Sequence, residues 1–250
     1  MRIIHKLGML TLLLTASAMA LASEGGVHLD KAPIDLKNTA SLQRGAKLFT
    51  SRCLACHSAS YMRYNRLRDI GMSEDQIKKD LELPEDVKLG STMQAAMDSN
   101  SAKLAFGEAP PDLSVIARSR SADWLYTYMR TFYVDSNRAS GWNNTTFPNV
   151  GMPFVLADLQ GKQVLLIEKK KGHETKKLVL DTPGSMCTAG NSLCVAGYDA
   201  AIADLTNYLV YMSDPSKMVR NQLGYIVLGF LLVLFGLIYA LKKEIWKDIH

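Results

Sequence analysis

Cys53-Leu54-Ala55-Cys56-His57 is the stretch on which the reading of this chain turns. Two thiols three residues apart share one face of a helix, so both can add to the two vinyl groups of one haem while the adjacent imidazole turns onto its iron. A zinc half-site would want a second Cys/His pair at similar spacing. A thioredoxin-like redox pair would want a strand before it and a helix after it. Neither context is present, because the other two cysteines, Cys187 and Cys194, are seven apart with no histidine beside them. Upstream, Ser41 to Cys53 predicts a helix with Thr39 or Ser41 as its N-cap and Leu42, Ala46, Leu48 and Phe49 as its apolar face.

With His57 as the fifth ligand, a sixth has to be found. His5 lies in an N-terminal leader and His250 beyond a C-terminal apolar helix; His28 is near the mature N-terminus and His173 sits in a charged turn. Met62 follows the motif too closely to cross a porphyrin, and Met93, Met97, Met129 and Met212 are predicted in helical surroundings where core packing explains them. Met152 differs. Phe147-Pro148-Asn149-Val150-Gly151-Met152-Pro153-Phe154 holds it in a stiff loop where Gly151 permits close backbone approach. The alternative is a loop methionine that plugs a gap. A thioether paired with imidazole makes a saturated, fairly high-potential electron carrier and not an oxygen-activating site.

Both ends of the chain carry apolar segments. Arg2 and Lys6, the apolar run Leu7 to Leu14 and the small residues through Ala22 read as a secretory signal peptide over 1–22, cleaved after Ala20 or Ala22. Leu223 to Leu241 is 19 residues without a charge, spanning about 28 Å as a helix, so it is expected to cross a membrane. Tyr225 and Trp246 suit its two interfaces, and Lys242, Lys243 and Lys247 put the tail in the cytoplasm. The expected plan is a signal peptide (1–22), an exported cytochrome domain (23–217), a transmembrane helix (218–241) and a cytoplasmic tail (242–250).

The composition fits this plan. Of 250 residues, 48% are hydrophobic and 21% charged, which excludes a disordered or collagenous chain, and a net charge of +5 is too mild and dispersed for nucleic acid. The predicted fold is mainly α: short helices at 73–82, 124–133 and 199–212, one β-hairpin over 164–167 and 176–180, and long irregular stretches at 106–121 and 136–162. Export favours a Cys187–Cys194 disulfide over two free thiols. Residues 74–88 carry six acids against three lysines, and the hairpin 168–177 five lysines against two glutamates, so the surface is expected to be dipolar.

Taken in order, Arg44-Gly45-Ala46-Lys47-Leu48-Phe49 leading into Cys53–His57, then Pro110-Pro111-Asp112-Leu113-Ser114 through Arg118 and Arg120, then Phe147 to Pro153, and last the C-terminal anchor resemble bacterial cytochrome c1. The resemblance implies one covalently attached haem c in a subunit of the cytochrome bc1 complex, beside cytochrome b and the Rieske iron–sulfur protein, anchored in membrane lipid with the haem domain periplasmic. The subunit would take one electron from the Rieske protein and pass it to a cytochrome c, with no catalytic residue of its own. The resemblance also implies that Met152 is the sixth ligand, that Arg120 pairs a haem propionate and that an aromatic near Trp124 or Tyr126 lines the pocket. It does not extend to the hairpin or to Cys187–Cys194. The other functions weighed are a tethered cytochrome serving a different oxidase or dehydrogenase, and a haem peroxidase, which would need an open sixth position and a distal His or Arg.

Overall fold

A computed structural model of the protein describes residues 28–170, 173–187 and 197–247. Helix α1 (Thr39–Arg52) is capped by Asn38, one residue before Thr39 and three before Ser41, the two expected caps: the Asn38 side chain accepts from Ser41 N. Ser41 is unavailable as a cap: it is buried, and its hydroxyl accepts from Asn207 Nδ2 at 3.1 Å. The face Leu42, Gly45, Ala46 and Phe49, at three- and four-residue spacing, lies against the long helix Tyr198–Ser213.

After the thiol motif come β1 (Ala59–Arg63), a 3₁₀ helix (Tyr64–Ile70) and α2 (Glu74–Asp80), which opens with a capping box between Ser73 and Gln76. Two of the acids expected to form a patch are paired, Glu74 with Arg68 and Asp80 with Lys47. Next are β2 (Thr92–Met93), antiparallel to β1, then α3 (Ser99–Phe106) and α4 (Ile116–Ser119). Helix α5 (Ala122–Arg130) ends earlier than expected. Phe132–Val134 leave it to form β3 and pair with β4 (Trp142–Asn144), where aromatic and β-branched residues suit a pleated surface. Helix α6 (Ala157–Gln160) leads into the hairpin of β5 (Gly161–Lys170) and β6 (His173–Pro183), longer than expected at both ends. The predicted irregular stretches 106–121 and 136–162 thus hold α4, β4 and α6.

Helix α7 (Tyr198–Ser213) is the centre of the packing, with α1, α4 and α5 all against it. Arg130 ties α5 to α7 and to the N-terminal segment: its guanidinium donates to both oxygens of Asp199 at 2.7 and 2.9 Å and to Asp30 at 2.6 Å. Asp214 and Pro215 then stop α7, and α8 (Lys217–Ile245) follows. Over Leu223–Ile245 it is long and apolar enough to cross a membrane: its most apolar 18-residue window has a mean hydropathy of 2.4 and none of that window is buried by the chain, as a lipid-facing span requires. The helix itself continues past the charge-free stretch that ends at Leu241, through Lys242, Lys243 and Glu244 to Ile245.

One residue of this frame is strained. Ser121 has φ 77° and ψ 156°, a region that essentially only glycine occupies, and it is held there while its hydroxyl accepts from Trp124 N at 3.3 Å as the cap of α5. Ser121→Gly should relieve about 1–3 kcal/mol of strain. Against this stand a few tenths for the lost cap and about 0.5–1 kcal/mol of chain entropy. The expected outcome is a rise of a few degrees in the thermal unfolding midpoint of the holoprotein; an unchanged or lower midpoint contradicts it.

Candidate functional site

Cys53 is the C-cap of α1, its N–H bonded to Phe49 O, and the chain turns once more so that Cys56 N and His57 N both reach Cys53 O, at 3.1 and 2.8 Å. The two thiols are free, Cys53 buried and Cys56 half-buried. Burial, with Cys56 alongside, pushes the Cys53 thiol up to about 12, so it is protonated at neutral pH.

His57 is held by the motif after Pro110. Its Nδ1 is 2.8 Å from Pro111 O, and since a carbonyl only accepts, the proton sits on Nδ1 and Nε2 keeps its lone pair for a metal. Burial lowers the affinity of His57 for a second proton, partly opposed by the Pro111 bond and the Asp112 charge. The two segments are laced together further on. Leu113 N donates to Ser58 O, Ser60 N to Asp112 Oδ2, and Tyr61 N to Ser114 Oγ, at 2.8, 2.9 and 3.0 Å. Burial raises the Asp112 carboxyl, but its bonds from Ser114 and Ser60 outweigh this and leave it below the usual range. Pro-Pro-Asp-Leu-Ser is therefore the support of the imidazole, a role that residue types and spacing do not reveal.

Met152 is half-buried, with its Sδ 3.5 Å from the Tyr128 hydroxyl. Burial pushes that phenol well above its ordinary range, so it stays a donor. The Tyr128 ring stacks on Trp124 at 4.7 Å, and Phe147 meets Trp124 edge-on at 6.2 Å. Arg120, exposed, lies over Trp124 and Phe147, with Cζ 5.2 and 5.7 Å from the ring centroids. Tyr126 faces the other way, under Arg130 at 4.4 Å, so of the two candidates Trp124 is the aromatic on the Met152 side. Of the rival ligands, Met62 and Met93 are buried on strands, and Met97 lies in irregular chain with its N–H on Ala55 O; Met93 and Met97 are thus not in helices. Met129 and Met212 are buried on α5 and α7. His28 is exposed beside Asp30, while His5, His250 and the His173 side chain lie outside the described structure.

The donor set suits haem. Two free thiols on one turn, an imidazole with Nε2 available and a half-buried thioether are the groups that covalent haem with nitrogen–sulfur ligation takes, and Cys53 and Met152 belong to one apolar cluster. Among the described residues no group of three or more His, Cys, Asp and Glu stands ready for a metal ion, so the zinc alternative finds no further ligands there. Cys187 is half-buried and disulfide-bonded, with Sγ 3.8 Å from Leu159 O; Cys194 lies outside the described residues.

Fold and site together define a c-type cytochrome, mainly helical, on a C-terminal apolar helix. The Cytochrome C1 family model matches residues 30–165 and 194–249, and the chain belongs to the cytochrome c1 family, the haem-carrying electron-transfer subunits of the bc1 complex. It is 46% identical to cytochrome c1 of Allochromatium vinosum over 98% of this chain and all of that one. It is 51% identical to a protein of Nitrosomonas europaea named ammonia monooxygenase gamma subunit, over 97% of each. Cytochrome c1 of Rhodospirillum rubrum is 27% identical over 95% of this chain and 94% of that one. Two relatives of high identity carry different names, and it is the family match, together with a thiol motif and thioether suited to haem, that decides between them for cytochrome c1. Members carry covalently bound haem c, and the chain is a membrane-anchored electron-transfer subunit. Residues 166–193, most of the hairpin and Cys187, fall outside the matched segments, where the sequence resemblance also stops.

Proposed function

We propose that this subunit takes single electrons from a Rieske iron–sulfur protein, assembled with it and with cytochrome b, and passes them to a cytochrome c. The observation that carries the reading is the pairing of roles in the site: Pro111 fixes the His57 tautomer with Nε2 free, and Met152 offers a thioether under Tyr128. Haem bound there supplies a one-electron couple. The chain's residues do the rest: Cys53 and Cys56 attach it, His57 and Met152 ligate the iron, and Trp124 lines its pocket. Arg120, an exposed guanidinium already steered by two rings, pairs a propionate. A peroxidase needs its sixth position open, which Met152 closes.

On the same reading the haem domain is periplasmic and the tail from 242 cytoplasmic, supported by Lys242, Lys243 and Lys247 after the span. Cys187 bonds Cys194, since Cys53 and Cys56 are both free. A tethered cytochrome serving another oxidase would share these ligands and differ in its partners. Isolation of the native membrane complex decides between them: a b-type cytochrome and a Rieske protein are expected with this chain, and the absence of both overturns the assignment. Met152→Leu should abolish the weak near-infrared sulfur-to-iron band and lower the midpoint potential, because the thioether favours the reduced form. Retention of both would remove Met152 and return the search to His28 and His173.

A further inference from the structure

We propose that the buried pair Asn143 and Asn144 are positioning residues for the Met152 thioether, an inference that rests on Met152 being the sixth ligand. Asn144 is 1% exposed and fully engaged. Its Nδ2 donates to Tyr128 O at 2.8 Å, and its Oδ1 accepts from Thr146 N at 2.8 Å, Phe147 N at 3.0 Å and Thr131 Oγ1 at 3.2 Å. One amide thus joins the last turn of α5, which carries Tyr128, to the start of the loop that carries Met152. Asn143 takes the next stretch of the loop. Its Oδ1 accepts from Asn144 N at 2.9 Å and from Asn149 N at 2.8 Å, while its Nδ2 donates to Asp135 Oδ2 at 2.8 Å.

Asn149, three residues before Met152, is held in the left-handed region at φ 65° and its carbonyl accepts from Arg138 Nη2 at 2.8 Å. The bonds from Thr146, Phe147 and Asn149 thus come from the backbone of the Met152 loop, that to Asp135 ends on the neighbouring β3–β4 turn and that to Tyr128 O on the residue whose hydroxyl meets Met152 Sδ, while Thr131, the C-cap of α5, supplies the one bond to the pair from elsewhere. Side-chain amides are suited to this, since each offers acceptor and donor groups in one plane and can replace a missing strand partner on both. Removing one leaves several buried N–H groups without acceptors, a cost that falls on this loop first. The sulfur then spends more time away from the iron, and an added ligand sees a site that is competent for a larger fraction of the time.

The test uses the full-length holoprotein and three readouts: the near-infrared sulfur-to-iron band, carbon monoxide affinity of the reduced protein, and the thermal unfolding midpoint. Asn143→Ala and Asn144→Ala should each weaken the band and raise carbon monoxide affinity by about tenfold. Asn207 is the matched control, 1% exposed like Asn144 and bonded to Asp35 O and Ser41 Oγ, which belong to the N-terminal segment and α1 rather than to this loop. Asn207→Ala should lower the unfolding midpoint with the band and carbon monoxide affinity unchanged. If the Asn143 and Asn144 variants also lower only the midpoint, or if neither accumulates as holoprotein, the pair serves the domain as a whole and the proposal is overturned. Met152→Leu runs alongside. A band surviving there removes the sixth-ligand reading itself, whereas a band lost there and intact in both asparagine variants removes this inference alone.

Discussion

Cys53→Ser and Cys56→Ser, made singly, should each bring membrane haem protein down by an order of magnitude or more, read as covalent haem stain after denaturing electrophoresis. A hydroxyl does not add to a vinyl group under conditions where a thiol does, so each variant loses one of two covalent tethers. The two losses are not equivalent. Cys53 is 5% exposed at the end of α1, so serine there also buries a hydroxyl in an apolar setting, which costs about 1–3 kcal/mol if unpartnered. Cys56 is half-buried, and serine there meets solvent. Cys53→Ser is therefore the more severe, with lower apoprotein levels as well as lower haem stain. Normal haem yield and an unaltered visible spectrum in both variants would remove the attachment site from residues 53–57.

What the sequence discloses about this site is what local spacing determines. The capping box at Ser73, the helix stopped by Asp214-Pro215 and the apolar span are set by neighbours within a few residues and stand where the spacing puts them, whereas the two thiols, expected on one helix face, sit at the end of α1 and on the turn after it. The support of His57 is different in kind. Pro111 and Asp112 reach the 57–61 segment from more than fifty residues away, and no periodicity carries a contact of that range. The same holds for Asn143 and Asn144, polar residues in what reads as a loop, which are buried on β4 where it pairs with β3 and where Asn144 reaches Tyr128 O of α5. It holds again for the start of α1, where Asn207 takes the Ser41 hydroxyl and leaves Asn38 to cap. Strand β3 reads as helix in the sequence because Tyr126, Met129 and Tyr133 continue a helical period that pairing with β4 overrides.

The fold in turn depends on one small residue in α1, and replacing it should have the largest effect on stability. In a helix interior Gly→Ala by itself favours the helix by about 1 kcal/mol, so propensity alone predicts that Gly45→Ala stabilises. The packing predicts the opposite sign. A Cβ on Gly45 would lie 2.1 Å from Asp204 O and 2.7 Å from Tyr208 Cβ, and neither is the movable end of a side chain. The helices α1 and α7 must separate, which loosens Leu42, Ala46 and Phe49 against Leu205 and Tyr208 in a core where all five are fully buried. Forced overpacking of this kind costs about 1–3 kcal/mol and occasionally more. The bidentate bond of Arg44 to Asp204, at 2.6 and 3.0 Å, sits beside the crossing and resists the shift. A net loss of about 1–2 kcal/mol is expected, a fall of roughly 2–8 °C in the unfolding midpoint for a domain of this size. Because α1 ends at Cys53, the shift also moves the first thiol relative to the Met152 loop, so the near-infrared band should weaken in the same variant. A midpoint equal to or above that of the parent would mean that α1 and α7 are not in backbone contact at Gly45, and that α1 does not present Cys53 through this crossing.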